Sequence, residues 1–170
     1  TAVAAPGGPH GRCADHAGAA ALAAGRGGVA VVPVFAVGRA QAILHSIAQL
    51  KQQGAIPHGL PIFLDSPMAI HTTALYKRHM GEHRLNAAEV EAMDRVATMI
   101  ETPEQSKALV KRHGPMVILS ASGMATGGRV VHHLFAGLGD PRNTVLFVGF
   151  QAAGTRGRLM IEGARYVKMY

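Results

Sequence analysis

The chain has 170 residues, 48% of them hydrophobic, with 17 Lys and Arg against 10 Asp and Glu and a formal net charge of +7. That length suits one domain with a proper core and is short for two, and no stretch reaches the roughly 18 unbroken apolar residues of a membrane span. The single cysteine, Cys13, excludes an internal disulfide and fits a reducing compartment, with the cytoplasm as default, while the basic balance favours a polyanionic partner such as nucleic acid.

Thr1 to Arg12 is rich in Gly, Pro and Ala without apolar periodicity, predicting loop or poor order, and the opening lacks the charged-then-apolar pattern of a secretory signal. Asp15 to Ala24 predicts an Ala-rich helix capped by Asp15 and ended by Gly25. Val29 to Phe35 is a β-branched run and the first predicted strand. A helix follows to about Gln53, with Ile43, Leu44, Ile47 and Leu50 at helical spacing. Arg39 in its first turn opposes the helix dipole, so it either serves a role elsewhere or points into solvent. Pro61 to Asp65 predicts the second strand, and Ser66-Pro67 the next helix start, with serine as cap and proline at the first helical position. Asp65, at a strand's carboxyl end, reads equally as a ligand group or as ordinary electrostatics beside a helix N-terminus.

Asn86 to Ile100 predicts an amphipathic helix, and Thr102-Pro103-Glu104-Gln105 a capping box opening another through about His113. Met116 to Leu119 is the third predicted strand, Thr144 to Gly149 the fourth, and Tyr166 to Tyr170 the start of a fifth. Strands separated by helices imply an α/β fold, a mostly parallel sheet of four to five strands with helices on both faces. Ligands bind such sheets outside the carboxyl ends of the strands. Those ends carry Gly38-Arg39, Asp65-Ser66, Ser120 to Gly128, and Gln151 to Arg158, so one architectural assumption gathers four polar clusters along one edge.

The densest cluster is Ser120-Ala121-Ser122-Gly123-Met124-Ala125-Thr126-Gly127-Gly128-Arg129, a strand-to-helix turn. Glycines permit close backbone approach, and the amides opening a helix lack partners, which together suit an anionic oxygen such as phosphate. The other reading is a tight turn with a serine cap. With aromatics at 5% and no tryptophan, phosphate contact fits better than base stacking. Catalytic patterns are missing: there is no His-Glu-x-x-His, paired-Cys, Gly-x-Ser-x-Gly or nucleotide-binding Gly-rich fingerprint. The ten histidines, including adjacent His132 and His133, show no metal-ligand spacing and read as surface or packing residues. Residues alone reach an anion-binding α/β domain.

Four segments together carry a resemblance: Pro33 to Gln41, Asp65 to Ala69, Ser120 to Met124 with Gly127-Gly128-Arg129, and Val148 to Gly157. In order and spacing they resemble the β-CASP domain of metallo-β-lactamase-fold RNA-processing nucleases, relatives of the cleavage and polyadenylation endonuclease and of bacterial RNase J-like enzymes. The likeness covers residues 29–170 as a single α/β unit and leaves 1–28 as a poorly matching segment. There the family's Glu-Ser-Thr-Tyr-Gly-like stretch is replaced by Ala4-Ala5-Pro6-Gly7-Gly8.

The resemblance implies that the full enzyme hydrolyses RNA phosphodiester bonds with two zinc ions. Their ligands would lie in a metallo-β-lactamase domain absent from this chain, leaving it without catalytic or metal residues of its own. It further implies an RNA clamp whose contacts to phosphate fall to Arg39, Asp65, Ser66, Ser120, Ser122, Gly123, Thr126, Gly127, Thr155 and Arg156. The expected partners are RNA, the metallo-β-lactamase domain of the parent chain and a second copy of the chain as homo-oligomer, with no membrane. The alternative function is a nucleotide- or CoA-phosphate-binding α/β module using the same loops.

Overall fold

A computed structural model of the chain describes residues 1–4 and 13–170, without the side chains at 13, 14, 16 and 22. The elements run β1 (Ala2–Ala4), α1 (Cys13–Gly25), β2 (Val29–Pro33), α2 (Arg39–Gln52), β3 (Ile62–Asp65), α3 (Pro67–Arg78) and α4 (Ala87–Arg95). They continue with β4 (Thr98–Met99), α5 (Pro103–Val110), β5 (Met116–Ser120), α6 (Val130–Gly137), β6 (Thr144–Leu146) and α7 (Arg156–Ile161).

Side-chain alternation along the strands builds the layers. Ala30, Val32, Ile62, Leu64, Val117, Leu119, Leu146 and Val148 enter one apolar cluster with residues of α1, α2 and α4. Their neighbours Val31, Val145 and Phe147 pack with α6 and α7, and Phe63, Met116 and Ile118 with Leu109 of α5. A strand buried on both faces needs no polar alternation, which is why these runs are continuously apolar. Each fully buried Ile or Leu in these layers, such as Ile43, Leu44 and Leu64, contributes about 1.5–3 kcal/mol relative to exposure.

Among the described residues the sheet has six strands in the order β1-β6-β2-β5-β3-β4, and every pairing is parallel. The chain moves through α2 from β2 past β5 to β3, and through α6 from β5 past β2 to β6. Adjacent β2 and β5 therefore send their connections in opposite directions and to opposite faces. The crevice beyond their carboxyl ends is the topological switch point of the sheet.

Five expectations change. Six strands replace four to five, because β1 and β4 are edge strands of three and two residues, too short to show a period. β1 arises within the stretch read as loop, and pairs Ala2, Val3 and Ala4 with Thr144, Val145 and Leu146; residues 5–12, with most of the Ala4 to Gly8 mismatch, lie outside the described residues. The helix predicted from Asn86 to Ile100 ends at Arg95, and Thr98–Met99 joins the sheet beside β3. Asp15 lies inside the first turn of α1 rather than capping it, and Tyr166 to Tyr170 form no strand. The described helices include none long and apolar enough to cross a membrane.

Candidate functional site

Pairing sets the frame of the site: Ser120 of β5 lies in register between Pro33 of β2 and Asp65 of β3. The Ser120 hydroxyl donates to the Asp65 carbonyl at 2.8 Å, and the Ser120 carbonyl accepts from the Val34 amide at 3.0 Å. Beyond this row, an open cleft of about 500 Å³ runs between Val34, Phe35 and Ala36 after β2, Ser66, Pro67 and Met68 after β3, and Ala121, Ser122 and Gly128 after β5.

Alternation turns the Asp65 side chain toward α5 and α6, where it is 0% exposed. Three donors meet it there: Ser106 Oγ at 2.6 Å and His133 Nε2 at 2.6 Å on Oδ2, and Arg129 Nη1 at 2.8 Å on Oδ1. Burial by itself would raise the carboxyl pKa, but the hydrogen bonds from His133, Ser106 and Arg129 outweigh it and hold Asp65 below the usual carboxylate range. The Arg129 guanidinium also donates to the carbonyls of Ile100 and Glu101 at 2.8 and 2.9 Å. Asp65 is therefore the internal pin that ties β3, α5 and α6 together, with both carboxylate oxygens hydrogen-bonded inside the protein.

The Ser122–Gly128 loop is held from several sides. Ser122 Oγ lies 2.9 Å from Thr126 Oγ1 and accepts from the Thr126 amide, while the Ser122 amide donates to the Gly127 carbonyl. Gly123 is wedged against Phe35, whose ring atoms would lie 2.8 Å from an added Cβ. Gly128 has φ +76°, and an added Cβ would stand 2.6 Å from the Ala121 carbonyl oxygen. The first amides of α6 are not available to an anion, contrary to the expectation for a helix opening. Val130 donates to the Ala121 carbonyl, Val131 to Gly128 and His132 to Arg129. Exposed polar groups remain at Thr126 and, partly, Ser122.

The remaining predicted positions divide. Ser66 is buried and its hydroxyl caps α3, accepting from the Ala69 amide at 3.2 Å. Thr155 caps α7, its hydroxyl accepting from the Arg158 amide and donating to the Ala152 carbonyl. Arg156 spends its guanidinium on the carbonyls of Ala125, Thr126, Lys168 and Met169. Gln151 Nε2 donates to the Gly123 carbonyl at 2.9 Å, so the fourth cluster lies behind the third and braces it. The side chains of Asp65, Ser66, Ser120, Thr155 and Arg156 thus each hydrogen-bond to groups inside the protein and support the loops. Arg39 stands at the first position of α2, outside the cleft lining.

Three residues missed at these positions carry the architecture. His133 and Ser106 complete the Asp65 pin. Gln41, 1% exposed, accepts from the Gly38 amide and donates to the carbonyls of Ala36 and Ala69 and to Thr73 Oγ1, tying the β2–α2 turn to α3. The spacing of Arg129 and His133, one helical turn apart, was the available signal for the pin. Around the cleft stand exposed apolar side chains, Phe35, Val37, Met68 and Phe150. Among the described residues, no group of three or more His, Cys, Asp or Glu side chains could hold a metal ion.

The Beta-Casp domain family matches residues 40–160. Ribonuclease TTHA0252 of Thermus thermophilus is 42% identical over 145 residues, covering 80% of this chain and 32% of that protein. Transcription termination factor FttA of Methanosarcina mazei is 33% identical over 151 residues, 85% of this chain and 23% of that one. An RNase J-like protein of Methanocaldococcus jannaschii is 36% identical over 144 residues, 85% of this chain and 33% of that one. The chain thus spans about a quarter to a third of the length of these relatives.

Proposed function

Because the chain belongs to the Beta-Casp domain family, we propose that it is the RNA-holding domain of a longer ribonuclease of metallo-β-lactamase fold, acting in the cytoplasm. The observation that carries this reading is the braced Ser122–Gly128 loop, set at the switch point of a parallel sheet, with Thr126 exposed to an incoming strand. A loop pinned in this way meets a phosphate without first losing conformational entropy, which favours binding. Ser122, Thr126 and the backbone at Gly123 and Gly127 hold the phosphates, and Arg39 adds charge at the edge. Asp65, Ser66, Ser120, Thr155 and Arg156 keep that loop and its neighbours in place.

In such an enzyme two zinc ions supply an activated water and stabilise charge on the phosphoryl group. The described residues do not fit that centre, since the best-placed pair, Asp65 and His133, spend their facing atoms on each other. We therefore assign bond cleavage to the metallo-β-lactamase domain of the parent. The apolar rim of Phe35, Val37, Met68 and Phe150 suits packing against that domain, with the RNA held between the two.

A titration of single-stranded RNA against salt tests this reading in the full-length protein. Binding weakens log-linearly with salt, as backbone phosphate contact requires, and weakens further in Gly127→Ala. The Gly127 position has nothing within 4 Å of an added Cβ, so the free loop accepts the methyl while an approaching phosphate meets it. RNA binding unchanged in Gly127→Ala and in Thr126→Ala would overturn the assignment of this loop.

A further inference from the structure

Arg129 walls two depressions, the strand-end cleft and a groove of about 330 Å³ between α5 and α6. The groove has an apolar floor that includes Pro103 and Val110, with Lys107, Lys111 and His132 along its sides and no carboxylate in its lining. Glu104, in the first turn of α5, and Glu101, just before the Thr102 cap, are the acidic residues nearest in sequence and do not line it. The ammonium groups of Lys107 and Lys111 make no hydrogen bond or ion pair with a described residue. They lie one helical turn apart, about 6 Å along the axis, on the same face of α5 and its C-terminal cap.

Across the groove, His132 Nδ1 lies 2.7 Å from the Tyr170 hydroxyl. The Tyr170 ring meets Phe135 edge-on with centroids 5.5 Å apart. Both rings are open to solvent, Phe135 at 66% and Tyr170 at 63%. A chain poor in aromatics has placed two exposed rings next to His132, on the side of the groove opposite two lysines that have no side-chain partner among the described residues.

We propose that the α5–α6 groove carries a stretch of single-stranded RNA beyond the strand-end cleft, with Lys107 and Lys111 on its phosphates and a base stacked against Phe135 and Tyr170. This rests on the reading of the chain as an RNA-holding domain. The chemistry selects the partner: alternating cationic and flat apolar surfaces match a polymer with charge along one side and planar bases along the other. An acidic peptide would use the lysines and leave the rings idle. Because Arg129 borders both depressions, a strand leaving the cleft reaches the groove over a single side chain, whose own charge is already committed to Asp65.

Fluorescence anisotropy on the full-length protein tests the path with two oligouridylates, one short enough for the cleft alone and one several times longer. The Lys107→Ala/Lys111→Ala double variant weakens the long oligomer about tenfold and lowers its log–log salt slope by about 1.4. Phe135→Ala weakens it about fivefold or more through lost stacking. Neither change affects the short oligomer. If the wild type binds both oligomers and the variants bind the long one equally well, the groove is not an RNA path, while the domain reading stands. If the wild type binds neither, the domain reading itself falls and takes this proposal with it. Loss of binding to a poly-Glu peptide in the lysine variant, with long-RNA binding intact, would overturn the proposal in favour of a protein partner.

Discussion

At the scale of single residues, Asp65 shows how burial and partnership decide a role. An ionised carboxylate that is 0% exposed persists only because Ser106, Arg129 and His133 replace its water. Asp65→Asn leaves Arg129 and His133 without their acceptor charge and lowers stability by about 3–5 kcal/mol, measured by urea unfolding at neutral pH. The folded pKa of Asp65 lies below its unfolded value, so its contribution is complete above an unfolded pKa of about 3.9 and is lost as pH falls through the folded one. Wild-type stability therefore drops with acid below about pH 4 more steeply than that of Asp65→Asn. A parallel loss in both proteins would remove Asp65 from the cause. The glycines make a second residue-scale contrast. Gly128→Ala forces an alanine to φ +76° against the Ala121 carbonyl and costs about 1–3 kcal/mol or more, whereas Gly127→Ala stays within about 0.5 kcal/mol of wild type.

At the scale of elements, helix ends account for much of what lies around the cleft. Ser66, Asn86, Thr102 and Thr155 each accept from the amide three residues on, at the starts of α3, α4, α5 and α7. Replacing Thr155 by Ala costs about 1 kcal/mol of stability, seen as a lower urea midpoint with unchanged slope. If that variant kept full stability but lost RNA binding, Thr155 would be a ligand rather than a cap. The caps at Ser66 and Thr102 were readable from Ser-Pro and Thr-Pro-Glu-Gln because capping is local chemistry. The end of α4 was not, since Val96, Ala97 and Ile100 fit an amphipathic helix and an edge strand equally well. Contact with β3, through the Ile100 amide on the Leu64 carbonyl at 3.0 Å, decided between them. Arg156 likewise joins two elements remote in sequence, the 125–126 loop and residues 168–169, and no local pattern encodes that reach.

At the scale of the whole molecule, the sheet order predicts a gradient of stability. Amide exchange is slowest in β2 and β5, which have neighbours on both sides and apolar layers on both faces, and fastest in β1 and β4 at the edges. Equal protection across the sheet would contradict the order described. The net charge of +7 acts at this scale too, drawing a polyanion toward the molecule in a salt-dependent way without choosing where it lands. The sequence by itself determined the α/β class, the parallel sheet, most helix starts and the edge on which the polar loops gather, because apolar periodicity, turn residues and caps are short-range. Its motif spacing also pointed to the β-CASP family. Only the tertiary structure decided which polar side chains of those motifs face outward. It turned Asp65, Ser120 and Arg156 inward onto partners tens of residues away and left Thr126, Lys107 and Lys111 open, because a side chain's availability depends on what the fold packs against it.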